Sequence, residues 1–312
     1  MEEAILESKT GLPPKIQFRR IYLCPFHWHD SLEVIFVLKG SIYISILDDM
    51  KILKAGDIEI LNFNQLHQLR ATSEDNLVGI LHIEKGYAKM LDPYISSVWF
   101  SHGFSPSIEI DQSVLLMLFR ELYHLLGGRQ DGTDVCQRDV SRRLVRLIMT
   151  TFDVMAQTYG SNSAQLSRIR GVFDLLNDPR FYMSKVTLRD LCISTNEYLN
   201  LDYMSALIRS CAGDNFQNLL NYFRIEFAVK QLLSTEKNIT EIALECGYSA
   251  TRYFYKHFKG LFPEGPKEFR RRHCRERREG SYDLVREDAA MKWLERLIAE
   301  SEPEKERWIA LY

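Results

Sequence analysis

Thr251, Arg252, Tyr255, Lys256 and Lys259 bring two kinds of hydroxyl and three cations together within nine residues. At helical spacing they fall on the face opposite Phe254 and Phe258. Such a face can hydrogen-bond to base edges and pair with phosphates. It needs an element behind it. Ile242 and the small Ala243 can pack one short helix against another, and Gly247 stands where the chain must reverse. Glycine takes a positive φ there without penalty. A short helix with an apolar back and a basic front, set behind a tight turn, is the helix-turn-helix pattern. The competing reading of these residues alone is a helical hairpin with a solvated basic face.

A second constellation is His27, His29 and Glu33, at the start of the run FHWHDSLEVIFVLKGSIYISIL. β-branched and aromatic residues make this run strand-like, broken at Lys39-Gly40. The three side chains share parity along one strand and can point to one face. They could line a pocket, hydrogen-bond to one another, or hold a metal ion.

A third lies between residues 186 and 209. VTLRDLC, with Thr187 as N-cap, and DYMSALIR, with Asn200 as N-cap, read as two short helices. Met204, Leu207 and Ile208 would face inward; Asp202, Ser205, Ala206 and Arg209 would face out. An outward Asp202 repels phosphates, although a carboxylate can accept a hydrogen bond from cytosine N4. FQNLLNYFRIEFAVKQLLS, residues 216–234, joins this pair to the one at 239–270. Nineteen helical residues span roughly 28 Å, close to the roughly 34 Å between successive major-groove faces. Arg224 and Lys230 are expected on its solvated side.

The residues also carry resemblances. I-A-x-x-x-G-Y-S (Ile242, Ala243, Gly247, Tyr248, Ser249), then Tyr253, Phe254, Phe258 and Lys259, then Pro266, Phe269 and Arg270, resemble the second helix-turn-helix of AraC/XylS-type transcription regulators. His27, His29, Glu33 and Gly40 are similar to the first motif of cupin barrels, the sensor domain of many such regulators. Gly56 and His67 stand in for the second motif, with Asn62-Phe63-Asn64 where Pro-x-Gly is usual. The resemblance implies that the 27–67 region binds a small-molecule effector, a sugar or metabolite, through His27, His29, Glu33 and His67. It implies that Thr251, Arg252, Tyr255, Lys256, Lys259, Asp202, Ser205 and Arg209 face double-stranded promoter DNA. Those four barrel residues have the ligand types of an octahedral Fe or Mn site; the expectation is nevertheless no metal, no cofactor and no catalysis. His82 and His102 are given no role.

The elements needed to hold these groups are legible along the chain. Ile16–Tyr22 and Leu77–Ile83 read as further strands, with turns at Gly56-Asp57 and Asn62–Gln65, so many short strands suggest a closed barrel. Leu115, Leu118, Phe119, Leu122 and Leu125, then Val140, Leu144, Leu147, Ile148 and Met155, form the stripes of a helical hairpin. Residues 159–164 read as a linker and Leu166–Leu176 as a helix. SYDLVREDAAMKWLERLIAE reads as an extra amphipathic helix with Leu284, Met291, Leu294 and Ile298 as its stripe.

Charge divides along the same lines. Residues 166–278 hold 19 Lys/Arg against 13 Asp/Glu, within a chain of net charge −2. A basic segment in an acidic chain suits one domain that meets a polyanion. The six cysteines include no C-x-x-C pair, which suggests reduced thiols. No apolar run nears a membrane span, and MEEAILESKTG lacks the apolar segment of a signal peptide.

The sequence therefore predicts an α+β multi-domain chain: a cupin-like β-barrel over 1–110, a helical hairpin over 111–160 to which the family resemblance assigns dimerisation, an all-α domain over 161–272 with two helix-turn-helix units, and a helical extension over 273–312. The expected function is cytoplasmic, sequence-specific transcription regulation. DNA, an effector and a second copy of the chain are the expected partners, with RNA polymerase a further one and membranes excluded. The alternatives are a metal-dependent cupin enzyme fused to a DNA-binding domain, and a regulator that needs no ligand.

Overall fold

The computed structural model describes residues 14–47, 49–100, 111–127, 137–152, 163–195 and 200–301. Met155 and His102 lie outside these residues, as does part of the expected linker at 159–164.

Seven strands come first: β1 Lys15–His27, β2 Ser31–Lys39, β3 Ser41–Ile46, β4 Asp49–Lys54, β5 Ile58–Leu61, β6 His67–Ala71 and β7 Leu77–Glu84. They pair antiparallel in the order β4-β3-β6-β1-β7-β2-β5 and curl into a nearly closed barrel. Alternation along the strands sends Ile21, Ile35, Ile42, Ile44, Leu69 and Ile80 into an aliphatic interior. The opposite face of β2, with Leu32, Val34 and Phe36, is covered by helices, so β2 is buried on both sides. The reversal after β2 is at Gly40, whose φ is +68°; a Cβ there would meet the Asp75 carbonyl oxygen at 2.3 Å. Asn64 sits at φ +59°, in the place where the cupin motif has glycine. Asn is one of the few residues that tolerates this left-handed conformation, so the turn survives the exchange.

The covering layer is α1 Lys85–Leu91, a 3-10 turn at Ile95–Ser97, and the hairpin α2 Gln112–Gly127 and α3 Gln137–Phe152. Leu118, Phe119, Leu122, Leu144 and Ile148 are the buried stripe, as expected, and pack against the outside of the barrel.

The all-α module follows: α4 Ser163–Leu176, α5 Pro179–Tyr182, α6 Leu188–Ser194, α7 Leu201–Ala212, α8 Phe216–Ser234, α9 Ile239–Glu245, α10 Thr251–Leu261 and α11 Pro266–Glu279. Its two helix pairs begin alike. Thr187 and Asp190 close a capping box on α6, and Asn238 and Glu241 close one on α9. Asn200 caps α7 as expected. The buried face of α8 holds both pairs in one core with Ile208, Leu219, Phe223, Ile242, Phe254 and Phe258.

The end of the chain departs from expectation. Ser281–Val285 is a strand, β8, that pairs antiparallel with β1, and only Glu287–Ser301 is helical, as α12. Leu284, expected in the helical stripe, is 69% exposed on β8. Tyr-Asp-Leu-Val has no periodicity that separates strand from helix at this length; the open edge of β1 decides it. Leu294 is buried as expected, with Ala290, in the layer that holds α2. Trp293 packs against that layer with Lys39 5.0 Å above its ring.

Candidate functional site: a free basic helix and a buried histidine cluster

On α10, Phe254 and Phe258 are fully buried while Arg252, Lys256 and Lys259 are exposed and Thr251 and Tyr255 half-exposed. The Arg252 guanidinium lies 4.9 Å above the Tyr253 ring and donates to its hydroxyl at 3.2 Å, which leaves it on the surface. The helix begins at Ala250, whose side chain makes no cap, so its first N–H groups point outward at the same end as Thr251 and Arg252. On α7, Met204, Leu207 and Ile208 are buried, Asp202, Ala206 and Arg209 exposed and Ser205 half-exposed. None of the expected DNA-facing side chains is fully buried, although Tyr255 also packs against the core of the module.

What locks these helices was not read from the sequence. Arg224, expected in solvent, is 7% exposed. Its Nε donates to the Tyr182 carbonyl at 2.7 Å and its Nη2 to the Ser184 carbonyl at 2.8 Å. It also lies 5.6 Å from the Tyr248 ring, so it joins the loop before α6 to the turn before α10. A helix period cannot reveal that a loop 40 residues earlier folds over this position. Lys230, also expected in solvent, donates to the Asn64 carbonyl of the barrel at 2.5 Å and pairs with Glu226 at 3.0 Å. Gly247 has φ +81°, and a Cβ there would lie 2.5 Å from the Met183 carbonyl oxygen.

The second site lies at one end of the barrel interior. Glu33 shares parity with Ile35 and Val37, His67 with Leu69, and His82 with Ile80 and Val78, so strand alternation aims all three inward. The donor atoms of His27, His29, Glu33 and His67 lie within 4.8 Å of one another. His29 Nε2 is 2.6 Å and His67 Nε2 3.1 Å from Glu33 Oε2. His82, given no role above, stands 3.7 Å from the other carboxylate oxygen. The β2–β7 register puts it opposite Glu33, a pairing that the sequence does not display.

Charge in this cluster is set by crowding. Burial, then His67, hold His27 well below its ordinary range. Burial would raise Glu33, but His67 and His29 outweigh it and pull the carboxyl well down. Burial likewise opposes a raised His29, and Glu33 prevails. Glu33 is therefore an anion and His27 a neutral base.

The donor set fits a divalent cation. His27 Nδ1–H donates to the Pro25 carbonyl at 2.8 Å and His67 Nδ1–H to the Gln65 carbonyl at 2.9 Å. Each carbonyl holds a proton on Nδ1, so Nε2 is the ring atom left to take a proton or a metal ion, the arrangement common among metal-ligating histidines. A bare imidazole lone pair 3.1 Å from a carboxylate oxygen is repulsive until a proton or a metal ion sits between them. Three imidazoles and one carboxylate suit Fe, Mn, Zn or a similar ion. Bound there, such an ion would supply Lewis acidity or a polar anchor for an oxygen ligand.

Two family models match this chain: a helix-turn-helix domain over residues 195–272 and a cupin domain over residues 23–83. An uncharacterized HTH-type transcriptional regulator of Staphylococcus aureus (strain MRSA252) is 24% identical over 249 residues, which are 77% of this chain and 31% of that protein. This chain therefore spans under a third of the length of those staphylococcal relatives. The uncharacterized HTH-type transcriptional regulator YdeC of Bacillus subtilis (strain 168) is 21% identical over 264 residues, 79% of this chain and 86% of YdeC. Among solved structures, fatty-acid-bound ToxT from Vibrio cholerae aligns at a TM-score of 0.44 with 16% identity, over 84% of this chain and 96% of ToxT. The C-terminal domain of AraT, a response regulator from Geobacillus stearothermophilus, aligns at 0.31 with 32% identity, over 34% of this chain and 84% of that one.

Proposed function

We infer that this chain, which carries the AraC-type helix-turn-helix domain behind a cupin barrel, is a transcription regulator that binds promoter DNA with α7 and α10 and reads a small ligand at the barrel mouth. The observation that carries the DNA reading is the outer face of α10: three exposed cations beside a half-exposed threonine, with Tyr255 at its margin, on a fully buried phenylalanine back. Lys and Arg contacts to phosphate supply most of the affinity, and their number sets its salt dependence. Thr251, Arg252, Tyr255 and Lys256 read base edges. No helix among the described residues is long and apolar enough to cross a membrane.

The effector site in this reading is the cluster of His27, His29, Glu33 and His67. Aliphatic side chains occupy the interior beneath it, so the ligand is small and polar and sits at the mouth. The fixed imidazole tautomers favour a divalent metal ion, alone or as the anchor of an oxygen-bearing metabolite. The same proposal gives the chain no catalytic turnover and pairs it with a second copy through the α2–α3 side.

Selection of bound duplexes from a random pool tests the DNA reading. The expected result is an enriched motif with two half-contacts about one helical turn apart. Binding with no enriched sequence would overturn it.

A further inference from the structure

We propose that the histidine cluster and the seat of the DNA-binding module form one coupled device, in which a cation held at the cluster tightens the grip of the barrel on α8 and α11. The inference rests on the reading of the barrel mouth as a ligand site.

Its basis is alternation along two strands. Phe26 and His27 are neighbours, as are Leu66, His67 and Gln68, and the odd-numbered histidines point into the barrel while the others point at the module. Phe26 packs 5.8 Å from Phe269 and 5.1 Å from His273, both on α11. Leu66 is completely buried in the core of the module, and its N–H donates to Glu226 of α8 at 2.8 Å. Gln68 and Arg70 both donate to Glu276 of α11, at 3.3 and 3.1 Å. The turn between β5 and β6 closes the connection: Asn64 accepts from Lys230 and donates its N–H to the His29 carbonyl at 2.9 Å. Phe26, Leu66 and Gln68 each adjoin a cluster histidine, and Asn64 and Arg70 are three residues from His67.

The end of the chain makes the seat two-sided. After α11 the chain passes Gly280 and joins the barrel as β8, and α12 buries Ala290 and Leu294 against the hairpin layer. A Cβ at Gly280 would lie 2.6 Å from the ring of Pro25, whose carbonyl fixes the His27 tautomer. A shift of α11 therefore reaches His27 through Pro25 as well as through Phe26. Close-packed contacts of this kind have few intermediate arrangements, so a small displacement at one end moves the other.

The direction follows from the docked geometry. With the module seated, the donor atoms of His27 and His67 converge with those of His29 and Glu33. A cation that needs this convergence stabilises the seated state, and by linkage a weakened seat weakens the cation.

Cobalt(II) titration of the full chain, followed by its visible d–d absorption, tests this without reference to DNA. Wild type, Glu226→Ala and Glu276→Ala are compared, with folding checked by circular dichroism. Neither glutamate is a cluster ligand. The expected result is the same band positions in all three proteins, with cobalt bound roughly five- to a hundredfold more weakly in the variants. Equal affinity in wild type and a folded variant overturns the coupling and leaves the ligand site standing. No cobalt bands in wild type overturns the ligand reading, and the coupling with it. Should Glu226→Ala fail to fold, Glu276→Ala, on the rim of the interface, decides alone.

Discussion

Phe26 and His27 are consecutive on β1 and serve opposite sides of it: the Phe26 ring lies 5.1 Å from His273 of the helix-turn-helix module, and the His27 ring lies 4.1 Å from His67 inside the barrel. One peptide unit separates the core of one functional half from the candidate site of the other. Five further positions carry testable consequences of the same packing.

Arg252 stands on the free face of α10, tied only to the neighbouring Tyr253 by a surface contact. Arg252→Ala is expected to cost about 1–3 kcal/mol on a selected site, as for a lost base contact. On random DNA the loss should be much smaller. Fluorescence anisotropy on both duplexes measures the ratio; equal losses would move Arg252 from base reading to phosphate contact.

Arg224 is the buried staple between the loop at 182–184 and the turn before α10. Arg224→Met leaves two buried carbonyls without a donor, at about 1–3 kcal/mol each. Urea unfolding should therefore show a loss of about 2–6 kcal/mol in the module's stability, with DNA affinity falling as α10 loses its fixed position. Gly247→Ala should act in the same direction, because its Cβ meets the Met183 carbonyl and its φ is +81°. A stable, tightly binding Gly247→Ala protein would contradict the packing described at this turn.

Leu294 lies beyond the residues matched by either family model, yet it is completely buried. Leu294→Ala is expected to destabilise the barrel and hairpin by about 2–5 kcal/mol, like other leucine truncations in a core. A change under about 0.5 kcal/mol, the range of surface substitutions, would mean that α12 does not belong to that core.

Glu59 on β5 is buried beside Lys51, and burial lifts its carboxyl from 4.5 to about 7 despite that partner. Its folded pKa exceeds its unfolded one. The associated stability is thus full below about pH 4.5 and is lost as pH rises through about 7. At about 1.4 kcal/mol per unit of pKa, the loss between about pH 5 and pH 8 is on the order of 2–3 kcal/mol. Glu59→Gln should flatten this slope in unfolding measurements at the two pH values, and an unchanged slope would show that another group carries it.

Much of the module was legible because its information is local. Capping residues such as Thr187 and Asn200, the apolar back of α10 and the glycine turn all act within a few residues of one another, so spacing alone places them. The outward set on α7 followed from the same period. Arg224 and Lys230 were misplaced for the opposite reason: their partners, Ser184 and Asn64, are 40 and 166 residues away. Leu284 was assigned to a helix because five residues of mixed type carry no decisive period, and the free edge of β1 settled the matter.

The sequence by itself determined which side chains could share a face: Glu33 with Ile35 by the two-residue period of a strand, Arg252 with Lys256 by the period of a helix. Those periods are properties of the backbone and need no partner. His27, His29 and Glu33, expected along one strand, instead lie at the end of β1, in the turn after it and on β2, and meet because the chain reverses between them. Only the tertiary structure decided which faces meet. It brought His82 to Glu33 through strand register, seated α8 and α11 on the strands that carry the histidines, and returned the last helix to the barrel. Register and docking depend on contacts between residues far apart in the chain, and no local spacing encodes them.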